Sequence, residues 1–172
     1  MTLKNIVLIG FMGSGKSKTA ECLSKALNRE VLSTDELIEK KEGKTIAEIF
    51  EQAGEDYFRG LERMVVKEVS GREGVIIDCG GGVIVNPDNL AHLKEKGILI
   101  YLAASARCIY GNIKEGKQRP LMNVDDPQAV IEQLLEERRE FYEKADITVD
   151  SDFRPIDQIA NDILKVLNND RN

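Results

Sequence analysis

One histidine, three cysteines and no excess of positive charge exclude several common chemistries for this 172-residue chain. His92 falls in a polar helical stretch and reads as a surface residue, so histidine-based acid–base work is not the main device. Cys22, Cys79 and Cys108 are scattered and odd in number, which implies neither a disulfide framework nor a zinc site. A net charge of −6 argues against a nucleic-acid or anionic-membrane surface, either of which needs a basic face. No apolar run is long enough to span a bilayer, and Met1-Thr2-Leu3-Lys4 leads into the first strand without a signal-peptide layout. Internal repeats, low-complexity segments and the Asn-Lys-x-Asp guanine motif of GTPase switches are missing too. What remains is a cytoplasmic, reduced, monomeric protein of one domain, with enough length for a real core.

What is present is alternation. Short apolar runs at residues 6–9, 31–32, 75–77, 98–102 and 147–149 read as strands covered on both faces. Between them lie helical stretches. Residues 16–27 are the first, and Thr45-Ile46-Ala47-Glu48 is a capping box opening a short helix. Residues 57–69, 129–142 and 156–167 carry apolar side chains at helical spacing. The pattern predicts an α/β fold with a doubly wound parallel sheet and ligands at the carboxyl ends of its strands.

The first strand runs into Gly10-Phe11-Met12-Gly13-Ser14-Gly15-Lys16-Ser17, which fits the phosphate-binding P-loop. Its glycines let backbone N–H groups turn toward phosphate oxygens. Lys16 adds a point charge for the β- and γ-phosphates, and the Ser17 hydroxyl is placed for Mg²⁺. The following helix turns its positive end to the anion. The second strand ends in Leu32-Ser33-Thr34-Asp35 and the third in Asp78-Cys79-Gly80-Gly81-Gly82, and both ends are expected to flank the P-loop. Three consecutive glycines suit a backbone that approaches a small ligand closely and offers it N–H donors. Lys114-Glu115-Gly116-Lys117-Gln118-Arg119-Pro120-Leu121 is a basic surface loop. It serves either as a solvated connection or as a lid bringing Arg119 to the transferring phosphate. Arg59 and Arg138, taken alone, read as ordinary helix-surface charges.

Together the P-loop, Ser33-Thr34-Asp35, Phe58-Arg59, Gly80-Gly81-Gly82, Arg119-Pro120-Leu121 and Arg138 resemble shikimate kinase, over nearly the whole chain. The resemblance implies a three-layer α/β/α P-loop kinase with a five-stranded parallel sheet. One domain would span residues 1–172, with a small helical substrate-binding segment at about 34–61 and a lid at about 113–124. The implied reaction is ATP-dependent phosphorylation of the 3-hydroxyl of shikimate, in the route to chorismate and the aromatic amino acids. The nucleotide side would comprise Gly13, Ser14, Gly15, Lys16, Ser17, Lys18, Arg119 and Arg154, the last in a loop folding over adenine. Shikimate would meet Asp35, Arg59, Gly80, Gly81, Gly82 and Arg138, with Asp35 taking the proton from the attacking hydroxyl. Lys16, Asp35 and Arg119 would be the catalytic residues.

Two positions depart from the family. Ser33 stands where an acid usually helps hold the Mg²⁺ water shell, and Asp78 stands where a small or hydroxyl residue is usual. We expect the carboxylate to have moved from one strand end to the next, making Ser17 and Asp78 the metal-side pair. Asn112 replaces an arginine that often stacks on adenine, so adenine contacts are expected to differ. A gluconate kinase would share the nucleotide side and lack the arginine clamp. A non-catalytic homologue would not need both Lys16 and Asp35.

Overall fold

Strands this short bury their apolar side chains on both faces only when helices cover both, and that requirement sets the architecture. The computed structural model describes residues 3–114 and 125–169. In chain order these form β1 (Asn5–Ile9), α1 (Lys16–Leu27), β2 (Val31–Ser33), α2 (Thr34–Glu42), α3 (Ile46–Ser70) and β3 (Ile76–Asp78). A single 3-10 turn (Val83–Val85) follows, then α4 (Pro87–Lys96), β4 (Gly97–Ala103), α5 (Ala106–Ile113), α6 (Pro127–Tyr142), β5 (Ile147–Asp150) and α7 (Ile156–Asn169). The sheet is parallel in the order β2-β3-β1-β4-β5. β1 is central and the order reverses beside it, which opens a crevice at its carboxyl end.

Alternate residues of the strands feed two cores. Ile6, Leu8, Ile76, Ile100 and Leu102 pack against α1 and α7. Val7, Ile9, Ile77 and Leu99 pack on the opposite face against α3 and α4. Each fully buried Ile or Leu contributes about 1.5–3 kcal/mol, so these layers, not the polar contacts, hold the strand ends in place. A third cluster seats the P-loop itself: Phe11 packs with Ala106, Ile109 and Ile113 of α5 and Ile131 of α6.

The structure refines two expectations. β2 does not flank the P-loop directly, because β3 lies between it and β1. His92 is half-buried in α4 rather than a plain surface residue. The capping box forms as expected, Thr45 Oγ1 accepting from the Glu48 N–H at 3.3 Å and Glu48 Oε2 accepting from the Thr45 N–H at 2.7 Å. The helix it opens is short, as expected. It stops at Gly54, whose φ of 82° and ψ of 175° are non-helical, a conformation open to glycine and costly for other residues. A second helix carrying Arg59 follows across that kink within the span of α3. Thr45→Ala should cost about 1 kcal/mol, read as a lower midpoint in thermal unfolding, because the Glu48 N–H loses its acceptor.

Candidate active site

The turn out of β1 leaves helix α1 without a side-chain cap. Gly15 occupies its N-cap position at φ 94°, so the first N–H groups of α1 face outward for an anion. Ser14, 3% exposed, has a hydroxyl without a hydrogen-bond partner among the described residues, as a phosphate cradle requires. Lys16 is buried, and its Nζ donates to the carbonyls of Gly10 and Phe11 at 2.9 Å each. Lys18 is exposed on the first turn of α1. Asn112 donates through Nδ2 to the Gly13 carbonyl at 2.8 Å, so this residue braces the P-loop from α5.

Beside the P-loop, the Ser17 hydroxyl donates to Asp78 Oδ2 at 2.6 Å. Ser33 and Asp78 are register partners on β2 and β3, so a carboxylate at either position sits at the same level of the sheet edge. Here Ser33 is used as the N-cap of α2, accepting from the Glu36 N–H. Asp78 is 7% exposed, and burial pushes its carboxyl up against the opposing effects of the Ser17 hydrogen bond and Lys16. A hydroxyl and one carboxylate are hard oxygen donors, the set Mg²⁺ uses when nucleotide phosphates complete its shell. Among the described residues no cluster of three metal-ligating side chains competes with that arrangement.

Asp35 stands in the first turn of α2, over the glycine triplet. The Gly80 N–H donates to Thr34 Oγ1 at 2.8 Å, tying β3's end to this turn. A Cβ at Gly80 would collide with the Asp35 carboxylate, so only glycine permits this approach. Burial raises the Asp35 pKa to about 6; Lys16 opposes the rise, and Glu62, Asp78 and Glu39 add to it.

The two arginines converge from different helices. Arg138 of α6 donates through Nη1 to the Gly81 carbonyl at 3.1 Å, and its guanidinium lies 5.3 Å from the Phe11 ring centroid. Arg59 of α3 lies against the same triplet, and a Cβ placed on Gly82 would come within 2.8 Å of its Nη1. Glu62 connects them. It is 2% exposed, accepts from Arg59 Nη1 at 2.9 and 3.1 Å, and feels the charge of Arg138 as well. Burial raises its pKa more than the two arginines lower it. Sequence reasoning missed Glu62. Its signal was an acid three residues after Arg59, on the helix face carrying Phe58, Leu61 and Val65.

Two expected nucleotide residues stand differently. Arg119, with most of the proposed lid, lies outside the described residues. Arg154 donates to the Asp162 carboxylate at 2.6 Å and to the Asp150 carbonyl at 2.8 Å, which commits its side chain to the α7 side of the loop. The neighbouring Phe153 is 65% exposed at a φ of 50°.

Comparison with known proteins gives the family and the fold. The family model described as shikimate kinase matches residues 12–168. A shikimate kinase of Caldanaerobacter subterraneus subsp. tengcongensis is 42% identical over 163 residues, covering 95% of each chain. The solved shikimate kinase of Acinetobacter baumannii, in complex with shikimate, matches with a TM-score of 0.93 at 35% identity, covering 98% of this chain and 95% of that one. A gluconokinase of Sinorhizobium meliloti shares the fold alone, with a TM-score of 0.62 at 15% identity.

Proposed function

This chain belongs to the shikimate kinase family, and we propose that its site transfers the γ-phosphoryl group of ATP to the 3-hydroxyl of shikimate, giving shikimate 3-phosphate and ADP. One observation carries the acceptor assignment. Arg59 and Arg138, far apart in sequence, converge on Gly81 and Gly82 beside the P-loop, and a buried glutamate that pairs with Arg59 also feels the charge of Arg138. A planar guanidinium pair suits a carboxylate, because each fork offers parallel donors to two oxygens. Gluconate also carries a carboxylate, so the clamp alone does not exclude it. The gluconate reading is disfavoured by the match to shikimate kinases over nearly the whole chain, against a shared fold alone at 15% identity for the gluconokinase. A shikimate-dependent ADP-release assay, run against gluconate, tests the reading; turnover with gluconate alone would overturn it.

Phosphoryl transfer needs alignment and charge neutralisation more than covalent chemistry. The N–H groups of Gly13, Ser14 and Gly15, with those of Lys16, Ser17 and Lys18, would cradle the phosphates. Lys16 would exchange its carbonyl partners for phosphate oxygens and offset charge on the transferring group, and Arg119 would add to it from the lid. The N–H groups of Gly80, Gly81 and Gly82 and the two arginines would fix the acceptor, and Asp35 would take its hydroxyl proton. Ser17 and, through water, Asp78 would hold Mg²⁺, which would supply positive charge to offset that of the nucleotide phosphates. The Ser151–Pro155 loop, with Arg154 anchored to α7, would border the adenine.

Two substitutions test these roles. Asp78→Asn should raise the Mg²⁺ concentration needed for half-maximal rate by about 10–100-fold, the usual cost of a lost metal-shell partner. The paired change Ser33→Asp with Asp78→Ser should recover most of that loss, since the two positions share one register level and aspartate also caps a helix. An unchanged Mg²⁺ dependence in Asp78→Asn would remove Asp78 from the metal site. Gly82→Ala should raise the KM for shikimate about 10-fold with little change in kcat, a loss of about 1.4 kcal/mol, because the new methyl displaces the Arg59 guanidinium.

A further inference from the structure

A groove of about 670 Å³ lies between α6, the start of α5 and the β4–β5 edge, and none of the residues assigned above to shikimate or nucleotide lines it. That volume suits a small ligand. Tyr101 and Thr148 line it from the sheet, and Glu132, Leu135 and Glu136 line it from α6. Arg107 lines it from the first turn of α5. Tyr101 is half-buried, and its hydroxyl has no hydrogen-bond partner among the described residues. Arg107 makes no ion pair within 4.0 Å among the described residues; its guanidinium lies 6.0 Å from the Phe153 ring centroid and its charge acts on Asp152. The groove thus offers a tyrosine ring, an aliphatic Leu135 wall, the Arg107 cation and two exposed glutamates of α6, Glu132 accepting from Gln128 and Glu136 paired with Arg139. These features match a flat ring bearing both a carboxylate and an ammonium.

We propose that this groove binds an aromatic amino acid and that its occupancy weakens the hold on shikimate. The carboxylate would meet Arg107, the ammonium would meet Glu132 and Glu136, and the ring would lie against Tyr101 and Leu135. The coupling runs through Tyr142. Its ring stacks on Tyr101 with centroids 4.5 Å apart and planes 4° from parallel. Its hydroxyl donates to the Gly81 carbonyl at 3.4 Å, the same oxygen that Arg138 holds at 3.1 Å. A molecule wedged under α6 against Tyr101 therefore presses on the carbonyl that Tyr142 and Arg138 share. Lys16 and Asp35 stand on α1 and α2, outside this chain of contacts, so binding of the acceptor changes and the transfer step does not. By linkage, shikimate weakens binding of the amino acid by the same factor.

The test uses the intact enzyme with L-phenylalanine and L-tyrosine as probes. L-alanine, phenethylamine and 3-phenylpropanoate serve as controls lacking the ring, the carboxylate and the ammonium. Calorimetry should show either probe binding with a Kd on the order of 1 mM or tighter, and the controls at least about 10-fold weaker. Saturating probe should raise the KM for shikimate by about 5-fold or more, within the usual range of coupling, with kcat unchanged. Thr148→Phe, which fills the groove from the exposed edge strand, and Glu132→Gln should abolish both effects and keep the activity measured without probe. Absence of binding heat, equal binding of alanine, binding that survives Thr148→Phe, or binding without a change in KM would each overturn the proposal. Calorimetry reads binding without turnover, so failure of the kinase reading would appear separately, as absent ADP release before any amino acid is added.

Discussion

Asp35→Asn is expected to lower kcat by about 10²–10⁴-fold, the usual worth of a positioned proton acceptor. The amide keeps the shape of the side chain above Gly80 but has no basic oxygen to take the proton of the attacking hydroxyl. The wild-type rate should therefore fall as pH drops through about 6, where the buried carboxylate takes up its proton. That fall should vanish from the residual activity of the variant. Stability moves the other way. The folded chain holds the Asp35 proton more tightly than the unfolded chain does, because burial raises the group from 3.8 to about 6. Above pH 6 the folded state carries the full cost of a desolvated charge. Between about 6 and 4 that cost disappears as the group protonates in the folded state. Asp35→Asn should thus raise the unfolding free energy at pH 7 by about 1–3 kcal/mol while removing activity. A gain in stability paired with a loss of rate is the signature of a group strained for function. A variant that is inactive and also less stable would place Asp35 among structural residues instead.

Arg138→Ala should reduce kcat/KM for shikimate by about 30-fold to several thousand-fold, corresponding to about 2–5 kcal/mol for a broken, enclosed charge pair. Most of the loss should appear in KM, since the carboxylate is held in ground and transition states alike. ATP binding should change little, because Arg138 touches the P-loop only through the face of Phe11. Arg59→Ala should damage shikimate binding as much but is a less clean experiment. It leaves Glu62, 2% exposed, without its ion-pair partner, and an uncompensated buried charge costs about 3–5 kcal/mol of stability. Arg59→Ala with Glu62→Leu should regain much of the lost thermal midpoint without regaining shikimate affinity. Recovery of both would mean that Arg59 only neutralises Glu62.

Much of this site was legible in the sequence wherever a single residue type has a single physical use. The Gly13, Gly15 and Lys16 pattern after a buried strand predicts the loop, and all five strands fall where the apolar runs lie. That Ser33 and Asp78 stand at one level of the sheet edge was readable because strand ends mark equivalent depths, and the register places the two side by side. Less legible were features set by tertiary packing. Arg59 and Arg138 look like helix-surface charges until α3 and α6 are folded onto the glycine triplet. Glu62 is an ordinary helical acid until Arg59 turns inward over it. The strand order, which puts β3 between β2 and the P-loop, follows from chain crossings that no local pattern records. The division of α3 was legible: the capping box at Thr45 opens a short helix, the apolar spacing of residues 57–69 marks a second, and the kink at Gly54 lies between them.

The central claim is that the acceptor's carboxylate is gripped by Arg59 and Arg138 while its hydroxyl faces the nucleotide over the same sheet edge. Its most direct measurement is a cycle of kcat/KM values: wild type and Arg138→Ala, each with shikimate and with its methyl ester. If the grip is real, the ester and the substitution each cost the wild-type reaction heavily, and the ester costs the variant little more. The two losses should then fall short of additivity by about 2 kcal/mol or more. Strict additivity, with the ester penalised equally in both enzymes, would mean that the carboxylate is bound elsewhere and would contradict the account.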